Sequence, residues 1–220
     1  MKTTGVIMLN TRFPRLVGDI GNPASFRGKV DYVKLEKSRV GNIVGPTIAM
    51  DLVEEILQAA IGLESRGAGL ITTSCGFLGP VQSRVQARLG VPFIASSLAL
   101  IPLLRTLHGG DSAIGVLTFD SRKLTPEHFC GNHSRQLAVA GIENGRELHR
   151  VISNDEEALN PVLALADVLQ AADALTTNHP DLRCLLLECT NLSPYKPSLR
   201  KRSGLPVYDL VDTLNWLAGA

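Results

Sequence analysis

The sequence predicts an α/β protein of two pseudo-symmetric lobes, each a mostly parallel sheet flanked by helices, with an active site in the cleft between them. Three observations carry this. Short β-branched apolar runs alternate with helical patterns, the rhythm of βαβ units. The segment GVIMLNTR at 5–12 reappears as GVLTFDSR at 115–122, with Gly, Val and Arg identical. At nearly the same offset LITTSC, ending on Cys75, reappears as LLLEC, ending on Cys189. Two matches in one order suggest a duplicated lobe.

Each element has a local reason. GVIML reads as the first strand. In TIAMDLVEEILQAAIGLESRG the apolar Leu52, Val53, Ile56, Leu57, Ala60 and Ile61 form the stripe of a helix lying on a sheet, with Gly67 as its stop. GLITTS is apolar enough at its start to be buried on both faces. A helix from Val81, the strand VPFIAS and a helix opened by Ser97 complete the first half. The second half begins with the strand AIGVLTF and a helix after Thr125, where Pro126 suits the first turn. A long helix is expected after SNDE, because Ser153 and Glu156 have capping-box spacing. The strand CLLLEC, the strand PVYD and a short helix ending near Trp216 close the chain. The lobes are expected to be residues 1–110 with 206–220, and 111–205.

Composition narrows the function. Of the 220 residues 45% are apolar and the formal charge is +1, which excludes disorder and argues against a phosphate-tracking nucleic-acid binder. The RKR at Arg200–Arg202 is the only basic cluster and reads as a solvated loop. No apolar stretch is long enough for a signal peptide or a membrane span, so a cytoplasmic protein with no membrane partner is expected. Cys75, Cys130, Cys184 and Cys189 are then thiols, and no CxxC pair exists. His128, Cys130 and His133 stand close together, but at odd spacing and with no fourth ligand in view, so no metal is expected.

A cysteine at a strand-to-helix turn sits near free backbone N–H groups and a helix dipole, which favour thiolate. A matched pair on opposite walls of a cleft suits proton transfer at one carbon, one sulfur removing a proton and the other returning one. The developing anion needs fixed donors. The N–H groups of Gly76 and Phe77, the hydroxyls of Ser74 and Thr190 and the amide of Asn191 supply them. Arg12, in the loop after the first strand, is a candidate bidentate clamp for a substrate carboxylate. Asn10, Thr11 and Thr118 stand at strand ends facing the same cleft, and Cys184, five positions before Cys189, reads as core. Asp19, Asn22 and Ser25 lie in a Gly/Pro-rich loop that is either a lid or a long turn.

TTSCGF and ECTNL, with the opening GVIMLNTRFPRLVGDIGNPASF, resemble the aspartate/glutamate racemase superfamily, which includes hydantoin racemases, maleate isomerases and arylmalonate decarboxylases. The resemblance covers essentially the whole chain. It implies cofactor-independent chemistry in which Cys75 and Cys189 flank the reacting carbon of a small carboxylate or carbonyl substrate, with Asn191 as the polar residue after the second Cys-Thr. It also implies a homodimer, a frequent assembly in the group. Asn10-Thr11 stands where glutamate racemases carry an acidic residue, and Gly76-Phe77 where amino-acid racemases have Asn-Thr, which argues against glutamate as substrate. Both cysteines being present argues against a decarboxylase. The expected activity is therefore racemase or isomerase. A covalent maleate isomerase-like mechanism or a non-catalytic small-acid binding protein is the alternative, and a thiol redox switch comes last.

Overall fold

The computed structural model describes residues 2–45 and 47–219. In chain order the regular elements are β1 (Thr3–Met8), β2 (Val30–Lys34), α1 (Val40–Ile43), α2 (Met50–Ser65), β3 (Ala68–Thr73), α3 (Gln82–Gln86), β4 (Phe93–Ile94) and α4 (Ile101–His108) in the first half. The second half holds β5 (Ile114–Thr118), β6 (Ala138–Gly141), α5 (Leu148–Ser153), α6 (Pro161–Asn178), β7 (Cys184–Leu187), α7 (Lys196–Ser203), β8 (Val207–Tyr208) and α8 (Leu210–Ala218).

The strands form two parallel four-stranded sheets, ordered β2-β1-β3-β4 and β6-β5-β7-β8. The orders are identical once the halves are overlaid. In each sheet the order reverses between the first strand of the half and the strand that ends near a cysteine. Ligands of open α/β sheets sit at the carboxyl edge of that reversal.

Both faces of each sheet are covered, as parallel strands require. On one face α2 covers the first sheet, through Leu52, Ile56, Ala60 and Leu63, and α6 covers the second, through Ala164, Val168 and Leu175. The other faces are covered by exchange. The first half's α4 packs Ile101 and Leu104 on Ile114, Val116, Cys184 and Leu186 of the second sheet. The second half's α8 packs Leu210, Val211 and Leu214 on Val6 and Leu70 of the first. β8, which lies beyond residue 205, pairs with β7 in the second sheet.

Several local expectations are corrected. β2 and β6 are edge strands whose half-buried, mixed composition hides their period. The helix from Val81 is a 3₁₀ turn at Gly76–Val81 that runs on into α3, and the helix after Thr125 is one 3₁₀ turn at Pro126–Phe129. Ser96, not Ser97, caps the next turn by accepting from Leu98 N–H, while Ser97 Oγ donates to Leu187 O at 2.7 Å in the other lobe. Ser153 ends α5 instead of opening a helix. Asp155 then turns the chain with φ 52°, and Asn160 Oδ1 caps α6 through the N–H groups of Val162 and Leu163. Asn-Pro at 160–161 is the stronger start signal, because Pro presets the first helical φ. Arg200–Arg202 occupies the last turn of α7, where cations suit the dipole; Arg202 pairs with Asp173 at 3.0 Å.

Among the described residues no helix is long and apolar enough to cross a membrane.

Candidate active site

Two residues past the end of β3 stands Cys75, and two past β7 stands Cys189. Each is the extended residue that opens a six-residue 3₁₀ turn, Gly76–Val81 or Thr190–Tyr195. Each turn folds back so that the N–H of its second residue, Phe77 or Asn191, donates to the sulfur. The two thiols line one cavity of about 30 Å³ between the lobes, room for about one water. Its walls are mostly apolar, with Phe13, Val40, Val44, Phe77, Phe119 and Ile152 contributing, and its polar lining adds Arg15, Ser74, Glu188 and Asn191.

The thiols are not poised as thiolates. Burial, then the nearby Glu188 carboxylate, pushes Cys75 up to about 12. The same two causes raise Cys189, against the single N–H from Asn191. The expected lowering fails because one short 3₁₀ turn offers too little dipole to offset desolvation. Cys189 Sγ–H donates to Asn191 Oδ1 at 3.5 Å, and Asn191 Nδ2–H donates to Asp19 Oδ2 at 2.6 Å. Asp19 is buried, accepts from Gly21 N–H at 2.6 Å and pairs with Arg15 at 3.2 Å. Arg15 lies over the Phe13 ring, 4.3 Å from its centroid, and its Nη2 donates to Thr11 Oγ1.

Of the residues singled out in the sequence, the structure gathers Cys75, Cys189, Ser74, Gly76, Phe77 and Asn191 around the cavity. Thr118 and Thr190 stand just behind it. Thr118 Oγ1 donates to Glu188 Oε2 at 2.6 Å, and Thr190 Oγ1 donates to Ser74 O at 3.0 Å, across the lobes. Asn10, Thr11 and Arg12 do not line the cavity. Asn10 donates its backbone N–H to Ser38 O and Oγ and its side-chain amide to Glu36 O, and Thr11 serves Arg15. Arg12 points outward, 64% exposed at its side chain, and pairs with Asp155 and Glu157. The guanidinium in the cavity is that of Arg15.

His128 is likewise structural. Its Nδ1 accepts from Thr125 N–H at 2.9 Å, its Nε2 meets Gly45 O at 3.0 Å, and its ring stands edge-on to Phe77. Among the described residues no group of three His, Cys, Asp or Glu side chains is arranged to hold a metal. The loop holding Asp19 is fastened from within. Asn22 donates to Arg15 O and caps the 3₁₀ turn Pro23–Ser25, and Ser25 Oγ donates to Asp19 O at 2.7 Å.

Glu188 was missed by sequence reasoning. It is 1% exposed, accepts from Phe119 N–H as well as Thr118, and leaves Oε1 without a partner among the described residues. Burial lifts its carboxyl to about 7. The available signal was an acidic residue inside an apolar strand ending, at the place where the other half has Ser74. Arg15 gave no signal beyond its place in the loop.

No protein-family model matches the chain. It is 28% identical to the dimethylsulfoniopropionate lyase of Durusdinium sp. clade D over 215 residues, 94% of this chain and 71% of that one. It is 25% identical to dimethylsulfoniopropionate lyase 6 of Emiliania huxleyi (strain CCMP1516), over 96% of this chain and 57% of the relative, so it spans little more than half of that protein. Among solved structures it resembles the allantoin racemase of Klebsiella pneumoniae, with TM-score 0.66 and 15% identity over 100% of this chain and 86% of that one. It also resembles an aspartate racemase homologue of Pyrococcus horikoshii OT3, with TM-score 0.61 and 19% identity over the whole of both chains. The structures share the fold. The sequence relatives are lyases, and they overturn the racemase or isomerase expectation, cis-trans isomerisation included. Cysteines in a cleft do not by themselves separate the two classes.

Proposed function

We propose that this chain, which has the fold of the aspartate/glutamate racemase superfamily, is a lyase that cleaves a β-sulfonium carboxylate of the dimethylsulfoniopropionate class by elimination. The observation that carries the reading is one apolar cavity in which two thiols meet a guanidinium and a buried carboxylate; at about 30 Å³ it is closed, and its walls part to admit the substrate. Similarity to named lyases over 94% of the chain supports the same class.

Arg15 receives the substrate carboxylate, since its links to Asp19 and Thr11 leave N–H groups unspent. The three phenylalanines suit the soft dimethylsulfonio group, whose positive charge is favoured over aromatic faces in a water-poor site. Cys75 is the base. Among the described residues it is the one cysteine whose S–H has no acceptor, whereas the Cys189 proton is held on Asn191. Burial first and Glu188 second hold Cys75 protonated at rest; the positive sulfonium seated beside the sulfur opposes both by favouring the thiolate, whose proton leaves to solvent. The thiolate then takes the proton from the carbon next to the carboxylate. The electron pair of that C–H bond forms the carbon–carbon double bond, and the bond from the β-carbon to sulfur breaks with its electrons going to sulfur. Neutral dimethyl sulfide and acrylate leave, and Cys75 is again a thiol.

The test is incubation of the purified chain with dimethylsulfoniopropionate, following dimethyl sulfide by headspace gas chromatography and acrylate by proton NMR. Equal amounts of the two products above the buffer rate are expected. Release no faster than in buffer would retire the lyase reading.

A further inference from the structure

We propose that Glu188 is the counter-ion for the positive group of the substrate, and thereby the residue that makes this site choose onium carboxylates over neutral ones. The substrate orientation rests on the lyase reading; the charge preference is measured without it.

The two halves hold their cysteines alike, and the residue before each marks a difference. Ser74 Oγ accepts from Leu9 N–H at 3.0 Å. Glu188, in the same place after β7, accepts from Phe119 N–H, the counterpart of Leu9. A serine would suffice for that role. The longer glutamate carries a second oxygen past the backbone, where Thr118 holds Oε2 and Oε1 is left unpartnered, with the residue 1% exposed and lining the cavity. Gly76 makes this possible, because a Cβ there would collide with Glu188 Oε1. A buried carboxylate oxygen without a donor is costly unless something else meets it.

The charged and titratable groups around Glu188 show what that is. The segment after β1 presents Arg15 and Asp19, which pair with each other at 3.2 Å. The turn after β3 presents the Cys75 thiol, and Glu188 is followed by the Cys189 thiol; both are held protonated by burial. The end of β5 presents only the Thr118 hydroxyl and the Phe119 N–H. Burial raises the Asp19 carboxyl, and Arg15, Gly21 N–H and Asn191 hold it toward its charged form as the partner of Arg15; the carboxylate with no cation beside it is Glu188. A plain carboxylate entering the cavity adds a second unmatched negative charge. A carboxylate with an onium group adds none, and its cation meets Oε1 while its anion meets Arg15. The ordinary value near 4.5 for a glutamate is lifted to about 7 by burial, so a cation seated there releases a proton as Glu188 ionises.

The test uses a ligand that does not react, β-trimethylammoniopropionate, against its neutral isostere with a tert-butyl group in place of the ammonium. Calorimetry gives both affinities for the wild-type chain and for Glu188→Gln, whose amide preserves the bonds from Thr118 and Phe119. At about pH 8 the wild type is expected to prefer the onium ligand at least roughly tenfold, the scale of a desolvated cation contact. That preference shrinks as the pH falls through about 7, and in Glu188→Gln it drops to about twofold at every pH. Equal affinity for the two ligands in the wild type, or a preference that survives in Glu188→Gln, overturns the proposal. If the variant does not fold, a wild-type preference flat with pH overturns it as well. A chain that discriminates but releases no dimethyl sulfide retires the lyase reading and keeps this one. A chain that releases dimethyl sulfide but does not discriminate does the reverse.

Discussion

The two lobes build the same corner and furnish it differently. In each, the residue before the cysteine takes a backbone N–H from the end of the neighbouring strand, and the residue two after the cysteine gives its own N–H to the sulfur. The first lobe uses Ser74 and Gly76, and the second uses Glu188 and Thr190 at the matching places. The small pair of one lobe receives the large pair of the other: Glu188 lies against Gly76, and Thr190 reaches Ser74 O. Duplication gives two like frames, and the asymmetry between them puts a carboxylate before one cysteine and a hydroxyl before the other. Thiols that are twins by sequence therefore sit in unlike surroundings.

The largest effect tests whether the thiols are unlike in function. Cys75→Ser is expected to lower dimethyl sulfide release about a thousandfold, the middle of the range a positioned base contributes, whereas Cys189→Ser costs roughly tenfold. Headspace rates at saturating substrate decide, and the opposite ranking would exchange the roles of the lobes.

The next tests the unlike carboxylate. Glu188 in the folded protein keeps its proton up to about 7, while an unfolded chain releases it near 4.5. The folded state therefore binds more protons in that window, and stability falls as pH rises through it. Glu188→Gln should remove this slope and gain up to about 3 kcal/mol at pH near 8, from the cited shift at 1.36 kcal/mol per unit, with little change at pH near 4. Urea unfolding at both pH values reads it, and a variant less stable than wild type at the higher pH would contradict it.

The facing small pair comes third. Gly76→Ala drives a methyl group into the Glu188 carboxylate and should cost about 1–3 kcal/mol of stability, the usual scale of overpacking. Thr190→Val removes one buried hydrogen bond and should cost about 1 kcal/mol. Thermal unfolding that reversed their order would show that the interlobe bond, not the packing, sets the corner. The smallest effect lies outside the cavity. Arg12→Ala breaks exposed ion pairs with Asp155 and Glu157 and should cost less than about 1 kcal/mol. A large loss of dimethyl sulfide release in this variant would give Arg12 a part in catalysis that its outward position denies.

The duplication was legible because β1 and β5 share a Gly-Val pair and the Arg that follows it at one spacing, and both cysteines end apolar runs. Those runs are buried strands whose composition local physics restricts. The edge strands β2 and β6 were not, since half-buried residues follow no clean alternation. Ser153 misled because cap spacing is a short-range signal, and the chain turned at Asp155 before any helix could begin. At the site, Arg12 and Arg15 both follow β1 and nothing local tells which turns inward; the stack on Phe13 and the pair with Asp19 decide it. Glu188 stayed hidden for a related reason. An acid at the end of an apolar strand declares itself only when its second oxygen is seen to lack a partner.

The traded helices bear on how this molecule can come apart. A break at Gly109-Gly110, two consecutive glycines with positive φ on the short link after α4, would leave two fragments that still clasp each other, each wearing the other's outer helix. Such a nicked protein would migrate as one body until denatured. A wide clamshell gape would pull on both crossing links at once, since each traded helix stays with the sheet it covers.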